Sequence, residues 1–396
     1  MSNKSSLADE LALRYDYSSD LVELLLNYFD YARLESILAS LKSPSKYYSF
    51  RVNTLKISSE ALLQSLREKG FQVYFHPKIE EALLVEVEGP FDIPLLSKVV
   101  VVDKFAAESV MQGAQLYAPG VLSAHGVFEG DEVSIVDERG RVVAIGVAVM
   151  NGLEMVERGR GLAVRVSLSR YKSISLRELD EYSSGLIYEQ SIPAMLTSLI
   201  LSPSPGEVIV DMCAAPGGKT SHMAQLMGNT GRIYAFDNSK TRIVKLAENV
   251  NRLGVKNVVV IHGDSRYINV DYPNLKADRV LIDPPCSALG VRPKLFERKS
   301  RFDVFSCMNY QKQFFRAAVE VLKPGGVIVY STCTLTFEEN ELIVDFVLNN
   351  YPLELDEQPI YLGSHGLKVS KCGLLQRFYP DVHGTPGYFI ARFVRI

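Results

Sequence analysis

The sequence predicts an α/β protein built on a Rossmann-like, mainly parallel sheet, preceded by a small α+β region and a β-barrel-like unit. Three observations carry this. From about residue 176 onward, apolar runs of strand length alternate with stretches of helical length, and such alternation builds a parallel sheet covered on both faces. A glycine turn, Gly217-Gly218, stands between the first of those runs and the helix that follows, where open α/β sheets bind nucleoside ligands. Upstream, residues 99–166 break into short β runs separated by Gly, Asp-Glu and Glu-Arg-Gly turns, the punctuation of a compact all-β unit.

Taken in order, residues 19–41 place Leu21, Leu24, Leu25, Tyr28, Phe29, Leu34, Ile37 and Leu38 at helical spacing. One or two amphipathic helices are expected there, stopped by Pro44. Residues 48–55 alternate as a strand, 59–70 read as a helix, 71–75 and 83–87 as strands, and Gly89-Pro90 ends the unit. Further β runs are expected at 99–102, 132–136, 142–149 and 163–166. In the alternating region, strands are expected at 208–212, 232–236, 258–262, 277–282, 326–330 and 388–394, with helices at 220–227, 240–253, 307–321 and 338–349. The expected domains are 1–92, 93–170 and 171–396.

The 396 residues are 47% hydrophobic, enough for several cores, and carry a net charge of −3. That balance supplies no global basic field, so an RNA partner would have to be met by local patches. The first 15 residues lack an apolar h-region, and no run of about 18 uncharged apolar residues occurs, so a soluble, cytoplasmic protein with no membrane partner is expected. Cys213, Cys286, Cys307, Cys333 and Cys372 form no CxxC pair, which fits free thiols in a reducing cytosol and no metal site. A monomer is favoured.

The segment Asp211-Met212-Cys213-Ala214-Ala215-Pro216-Gly217-Gly218-Lys219-Thr220 has glycines that let the backbone approach a ligand, and the following helix offers unpaired N–H groups. Asp237, Asp264 and Asp283 end the next three strands. They suit ribose hydroxyls, an adenine amino group and a cationic methionine portion respectively. A pyrophosphate would be poorly matched by three carboxylates. S-adenosylmethionine carries no phosphate and brings a sulfonium and an ammonium, so it is the expected cofactor in preference to NAD. The plainer alternative is that each Asp only caps the next turn or helix.

Cys286, in Asp283-Pro284-Pro285-Cys286, and Cys333, in Ser331-Thr332-Cys333-Thr334, each lie just past an apolar run. A thiolate adding to carbon 6 of a pyrimidine makes carbon 5 nucleophilic, a hard step split through a covalent intermediate. One thiol is enough for methyl transfer, and a second could help release the product. The attacking thiol needs a lowered pKa or a nearby base, and Lys219 is a candidate for electrostatic help. The other three cysteines read as buried small hydrophobes.

With these motifs in this order, residues 172–396 resemble the NOL1/NOP2/Sun family of RNA (cytosine-5)-methyltransferases, a class I methyltransferase fold. Glu338-Glu339-Asn340-Glu341 belongs to the same pattern. The resemblance implies Cys333 as nucleophile and Cys286 as the residue assisting release, with Asp283 and Lys219 near the target cytosine. It also implies cofactor contacts from Cys213, Ala214, Ala215, Pro216, Gly217, Gly218, Lys219, Asp237, Arg242, Asp264 and Asp283. Many members have Ala at Pro284 and Gly at Ala288, both small loop changes. Residues 98–166 resemble a PUA domain through Val99-Val100-Val101-Val102-Asp103-Lys104, Gly113-Ala114 and Ala118-Pro119-Gly120. That implies RNA binding and, in the subgroup joining the two domains, the acceptor end of tRNA at nucleotide 72. Arg51-Val52-Asn53-Thr54 also matches the family, within what reads as an RRM-like unit interrupted by the PUA-like one. Arg292, Lys294, Arg298, Lys299 and Arg301 are expected to track an RNA backbone, and the target base to be flipped out of its stack. The resulting expectation is cytosine-5 methylation of tRNA. Its alternatives are the same reaction on ribosomal RNA, or a non-catalytic RNA-binding protein with a methyltransferase fold.

Overall fold

Strands of Val, Ile and Ala buried on both faces need helices on both sides. The largest sheet of this computed structural model, which describes residues 2–396, meets that need. Met1 lies outside the described residues. Five parallel strands run in the order Val258–His262, Arg232–Asp237, Val208–Asp211, Ala277–Ile282 and Leu322–Thr332. Tyr388–Arg395 joins antiparallel, with Leu353–Leu355 and Gln376–Phe378 paired to it. Helices Ile192–Leu201 and Gly218–Leu226 pack Leu196, Ile200, Met223 and Met227 on one face. Helices Phe314–Val321 and Glu341–Asn350 pack Phe315, Ala318, Ile343 and Val347 on the other.

All the expected strands form, and the differences have local causes. The helix expected at 307–321 is two, Arg301–Lys312 and Phe314–Val321. The first begins early because Ser300 and Asp303 form a capping box. Helix Ile192–Leu201 was not anticipated because it is apolar on nearly every side and buried, leaving no amphipathic period to read. Ser2–Tyr15, Lys104–Val110 and Gly152–Arg158 are also helical.

The N-terminal sheet is antiparallel, in the order Ile187–Glu189, Tyr47–Val52, Ala82–Glu86, Val73–Phe75. Its edge strand Ile187–Glu189 returns from beyond the β unit, so that unit interrupts the RRM-like one as expected, and residues 187–189 complete the N-terminal sheet rather than the catalytic one. The inserted unit is a mixed sheet of six strands, antiparallel except where Val99–Val102 pairs parallel with Glu132–Asp137.

The loop after Cys286 joins these units. Leu295 and Phe296 lie in the core of the inserted sheet with Val100, Ala107 and Ile135. Phe296 is fully buried, with the guanidinium groups of Arg139 and Arg141 4.5 and 5.4 Å from its ring centroid. Leu289 packs in the core of the N-terminal helices with Leu21, Leu34 and Leu38. This corrects the expectation for the basic cluster. Arg292 donates to the carbonyls of Ser43, Pro44 and Pro380. Lys294 is buried and bonded to Glu297 at 2.6 Å, Arg298 pairs with Glu138 of the inserted unit, and Lys299 donates to the Ser287 carbonyl. Charges placed at a three-way junction are satisfied internally, which leaves Arg301 as the exposed member that no carboxylate pairs among the described residues.

Phe296→Ala removes a ring from a filled core, so unfolding free energy should fall by about 3 kcal/mol, measured by denaturant titration. A fall below about 0.5 kcal/mol, the size of a neutral surface change, would show that this ring does not hold the units together.

Candidate active site

Parallel neighbours deliver their loops to the same rim. Ala277–Ile282 and Leu322–Thr332 pair parallel and, past an irregularity after Ala277, run in register from Arg279 opposite Val327 to Ile282 opposite Tyr330, so the loops that leave them bring Cys286 and Cys333 together with their sulfurs 3.3 Å apart. Lys219 Nζ donates to Asp283 Oδ2 at 2.6 Å. Asp283 Oδ1 accepts from Ser331 Oγ at 2.7 Å and from the Tyr388 hydroxyl at 3.3 Å. The four residues expected to act on the base, Cys333, Cys286, Asp283 and Lys219, therefore form one cluster.

Its electrostatics are asymmetric. A hydrogen bond from the Cys286 thiol pulls Cys333 below the ordinary thiol range, with Lys219 assisting while burial and Asp283 oppose. The same bond, then burial, pushes Cys286 well up. Ionisation is thereby favoured at Cys333, with Cys286 as the hydrogen-bond donor. Burial alone would discharge Lys219, but the Asp283 carboxylate and Tyr388 outweigh it and keep the ammonium charged.

Beside this cluster lies a narrow cleft lined by Cys213, Asp237, Arg242, Asp264, Tyr310 and Phe314, among others. Of the segment leading into the glycine turn, Met212 and Cys213 line it; the two glycines lie behind, where they make room for neighbouring side chains. Gly217 has φ +106°, and a Cβ there would meet Leu246 at 2.8 Å. A Cβ at Gly218 would meet the Tyr188 ring at 2.9 Å. Asp237 Oδ2 accepts from the Ala215 N–H at 3.3 Å, and Arg242 bonds both Asp237 and the Ala215 carbonyl. Pro216, joined to Ala215 by a cis bond, completes the turn, next to Ala214, whose N–H bonds the Phe236 carbonyl. Hydrogen bonds from Arg266 hold Asp264 below the usual carboxylate range. Both arginines near the cleft are thus committed to carboxylates, which suits a cationic, phosphate-free nucleoside such as S-adenosylmethionine. Asn238, Tyr310 and Phe314 also line the cleft and were not anticipated. Tyr310 and Phe314 sit on helices, where an aromatic looks the same in sequence whether it faces a cleft or a core.

The helix that presents Lys219 is held from the N-terminal unit. Arg51, buried and pulled down to about 9 by desolvation, stays cationic at neutral pH. It donates to the Gly218 carbonyl and to Ser221 Oγ, each at 2.7 Å. Glu81 lies 2.6 Å from His222 Nε2. Burial pulls His222 down to about 4, so this contact is a hydrogen bond from a neutral imidazole rather than an ion pair. Ala288, beyond Cys286, has φ +54°, a left-handed conformation that glycine adopts more readily.

The family described as 16S rRNA methyltransferase RsmB/F matches residues 198–394, PUA domain matches 98–167, and the RsmF/B-like ferredoxin-like domain matches 21–92. A tRNA (cytosine(72)-C(5))-methyltransferase of Pyrococcus horikoshii is 46% identical over 386 residues, covering 96% of this chain and 97% of its own. Human tRNA (cytosine(72)-C(5))-methyltransferase NSUN6 is 31% identical, covering 92% of this chain and 91% of its own. The crystal structure of NSun6 from Pyrococcus horikoshii with SFG, an S-adenosylmethionine analogue, superposes with a TM-score of 0.88 at 45% identity, over 96% of this chain and 99% of that one.

The burial of His222 generates a pH dependence, which the Glu81 contact only partly offsets. Its folded pKa, about 4, lies below its ordinary 6.5, so its share of stability is present above pH 6.5 and lost as pH falls toward 4. At 1.36 kcal/mol per unit that is on the order of 3 kcal/mol. His222→Gln should flatten the stability profile across this window in denaturant titrations at stepped pH. An unchanged slope would show that another group causes the loss.

Proposed function

The chain belongs to the RNA (cytosine-C5)-methyltransferase family of the RsmB/F and NOL1/NOP2/Sun type, and from that premise we propose that it methylates carbon 5 of a cytosine in tRNA, at nucleotide 72 of the acceptor end. The observation that carries the mechanism is the pair of sulfurs 3.3 Å apart beside the Lys219–Asp283 ion pair. S-adenosylmethionine is the cofactor, and when bound it supplies an electrophilic methyl group.

The residues divide the remaining work. Cys333, the thiolate of the pair, adds to carbon 6 and forms an S–C6 bond, making carbon 5 nucleophilic. Negative charge then develops on the ring, and the Lys219 ammonium and the hydrogen-bonded Asp283 group stand beside it. After methyl transfer the proton on carbon 5 must leave and the S–C6 bond must break. Once Cys333 is tied up as a thioether it no longer needs the Cys286 hydrogen bond; Cys286 then gives its own proton to solvent, takes the carbon 5 proton as a thiolate, and Cys333 departs as thiolate. Cys213, Ala214, Ala215, Pro216, Gly217, Gly218, Asp237, Arg242 and Asp264 hold the cofactor.

The tRNA assignment is supported by relatives named for nucleotide 72 that align along nearly the whole chain, inserted PUA domain included. The ribosomal alternative uses the same catalytic domain. No helix among the described residues is long and apolar enough to cross a membrane. Five free cysteines, two of them catalytic in this reading, fit a cytoplasmic setting, and we take the working form to be a monomer.

Incubated with total tRNA and methyl-labelled S-adenosylmethionine, the protein should place label in 5-methylcytidine. Cys333→Ala should lose at least about a thousandfold of that activity, as removal of a covalent nucleophile does, and Cys286→Ala should accumulate a covalent RNA adduct on denaturing gels. An adduct formed by Cys333→Ala would reverse the two roles, and label in rRNA alone would replace the substrate.

A further inference from the structure

Glu339 takes no part in the chemistry above, yet its carboxylate sits where the two thiol loops meet. It is fully buried. Oε1 accepts from the Ser287 N–H at 2.8 Å and from Gln311 Nε2 at 3.0 Å. Oε2 accepts from Ser287 Oγ and from Thr336 Oγ1, the latter at 2.9 Å. Gln311 also donates to the Pro285 carbonyl at 3.1 Å. Both neighbours of Cys286 in the chain are therefore tied to this one carboxylate, directly through Ser287 and by way of Gln311 through Pro285. Four donors converge on an acceptor-only group, a role an amide with its own N–H donors cannot copy.

Cys333 is held differently. It follows directly on strand Leu322–Thr332, whose Ser331 and Thr332 pair with Ile390 and Phe389. Asn340 accepts from Thr332 Oγ1 and donates to the Thr334 carbonyl at 3.2 Å, so it brackets Cys333 as Glu339 brackets Cys286. Ser287 Oγ to Thr334 Oγ1 at 2.6 Å, and the Gly290 N–H to the Cys333 carbonyl at 3.0 Å, cross-link the two loops. Cys286 has no strand to fix it, since Ala277–Ile282 ends before it. Loss of the carboxylate would free Cys286 and leave Cys333 in place.

We propose that Glu339 is a positioning residue that sets the Cys286 sulfur against Cys333 and thereby governs release of the covalent RNA adduct rather than its formation. The step it serves is the one in which the carbon 5 proton passes to Cys286 and the S–C6 bond breaks. The proposal rests on the assignment of Cys333 as nucleophile and Cys286 as the releasing group.

The test compares wild type, Glu339→Gln, Glu339→Asp and Ser287→Ala as full-length proteins with tRNA and labelled S-adenosylmethionine. It follows methyl transfer in the first turnover and covalent adduct on denaturing gels. Glu339→Gln should methylate in the first turnover within about threefold of wild type, release RNA about tenfold more slowly, and hold more adduct, as expected when a buried charged acceptor is lost. Glu339→Asp, which keeps the charge, should recover part of the release rate. Ser287→Ala removes only a hydroxyl, so it carries the test if Glu339→Gln does not fold, and it should shift the adduct in the same direction. First-turnover transfer and release falling together, with no excess adduct in any variant, would overturn the proposal. A wild-type protein that forms no 5-methylcytidine would instead defeat the functional reading on which it rests.

Discussion

Two sulfurs 3.3 Å apart in a partly buried site resist carrying charge together, because the second ionisation would set like charges side by side. One thiol must stay protonated, and its proton then stabilises the other as thiolate. Lys219, whose influence reaches Cys333, favours the charge there, while Glu339 opposes ionisation of both sulfurs alike. The proximity is a product of topology: adjacent parallel strands in register deliver both loops to one rim. The Asp283 carboxylate, shared by Lys219, Ser331 and Tyr388, ties that rim to the helix after the glycine turn.

The N-terminal units are built into this arrangement rather than hung from it. Phe296 fills the core of the inserted domain, and Lys299, three residues on, bonds the carbonyl of Ser287 beside the thiol. Arg51 and Glu81 grip the helix that carries Lys219. RNA held by those units is thereby held at a fixed offset from the reacting sulfurs, the condition under which binding energy at a distance positions a flipped base.

Strands 99–102, 258–262 and 277–282 were legible to the residue, because apolar β runs bounded by turn residues have few other uses. The site motifs were legible too, since each falls at a strand end where spacing alone places it. What sequence hid was partnership. Arg292 and Lys294 look like a basic face, but each is consumed by carbonyls or a carboxylate from distant segments. Helix Ile192–Leu201 lacks a polar side, so periodicity had nothing to report. Glu339 was visible as part of a motif, but its task depends on Ser287 and Gln311, and no one-dimensional spacing reveals that meeting.

The unequal ionisation of the two thiols is the claim on which the rest stands, and alkylation across pH measures it directly. Wild type and Cys286→Ala would be treated with iodoacetamide from pH 5 to 10, and each modified cysteine identified by peptide mass. Cys333 should react first, with an apparent pKa below that of a free thiol, about 8.5, and that value should rise when Cys286 is removed. Preferential alkylation of Cys286, or a Cys333 profile indifferent to its loss, would contradict the account.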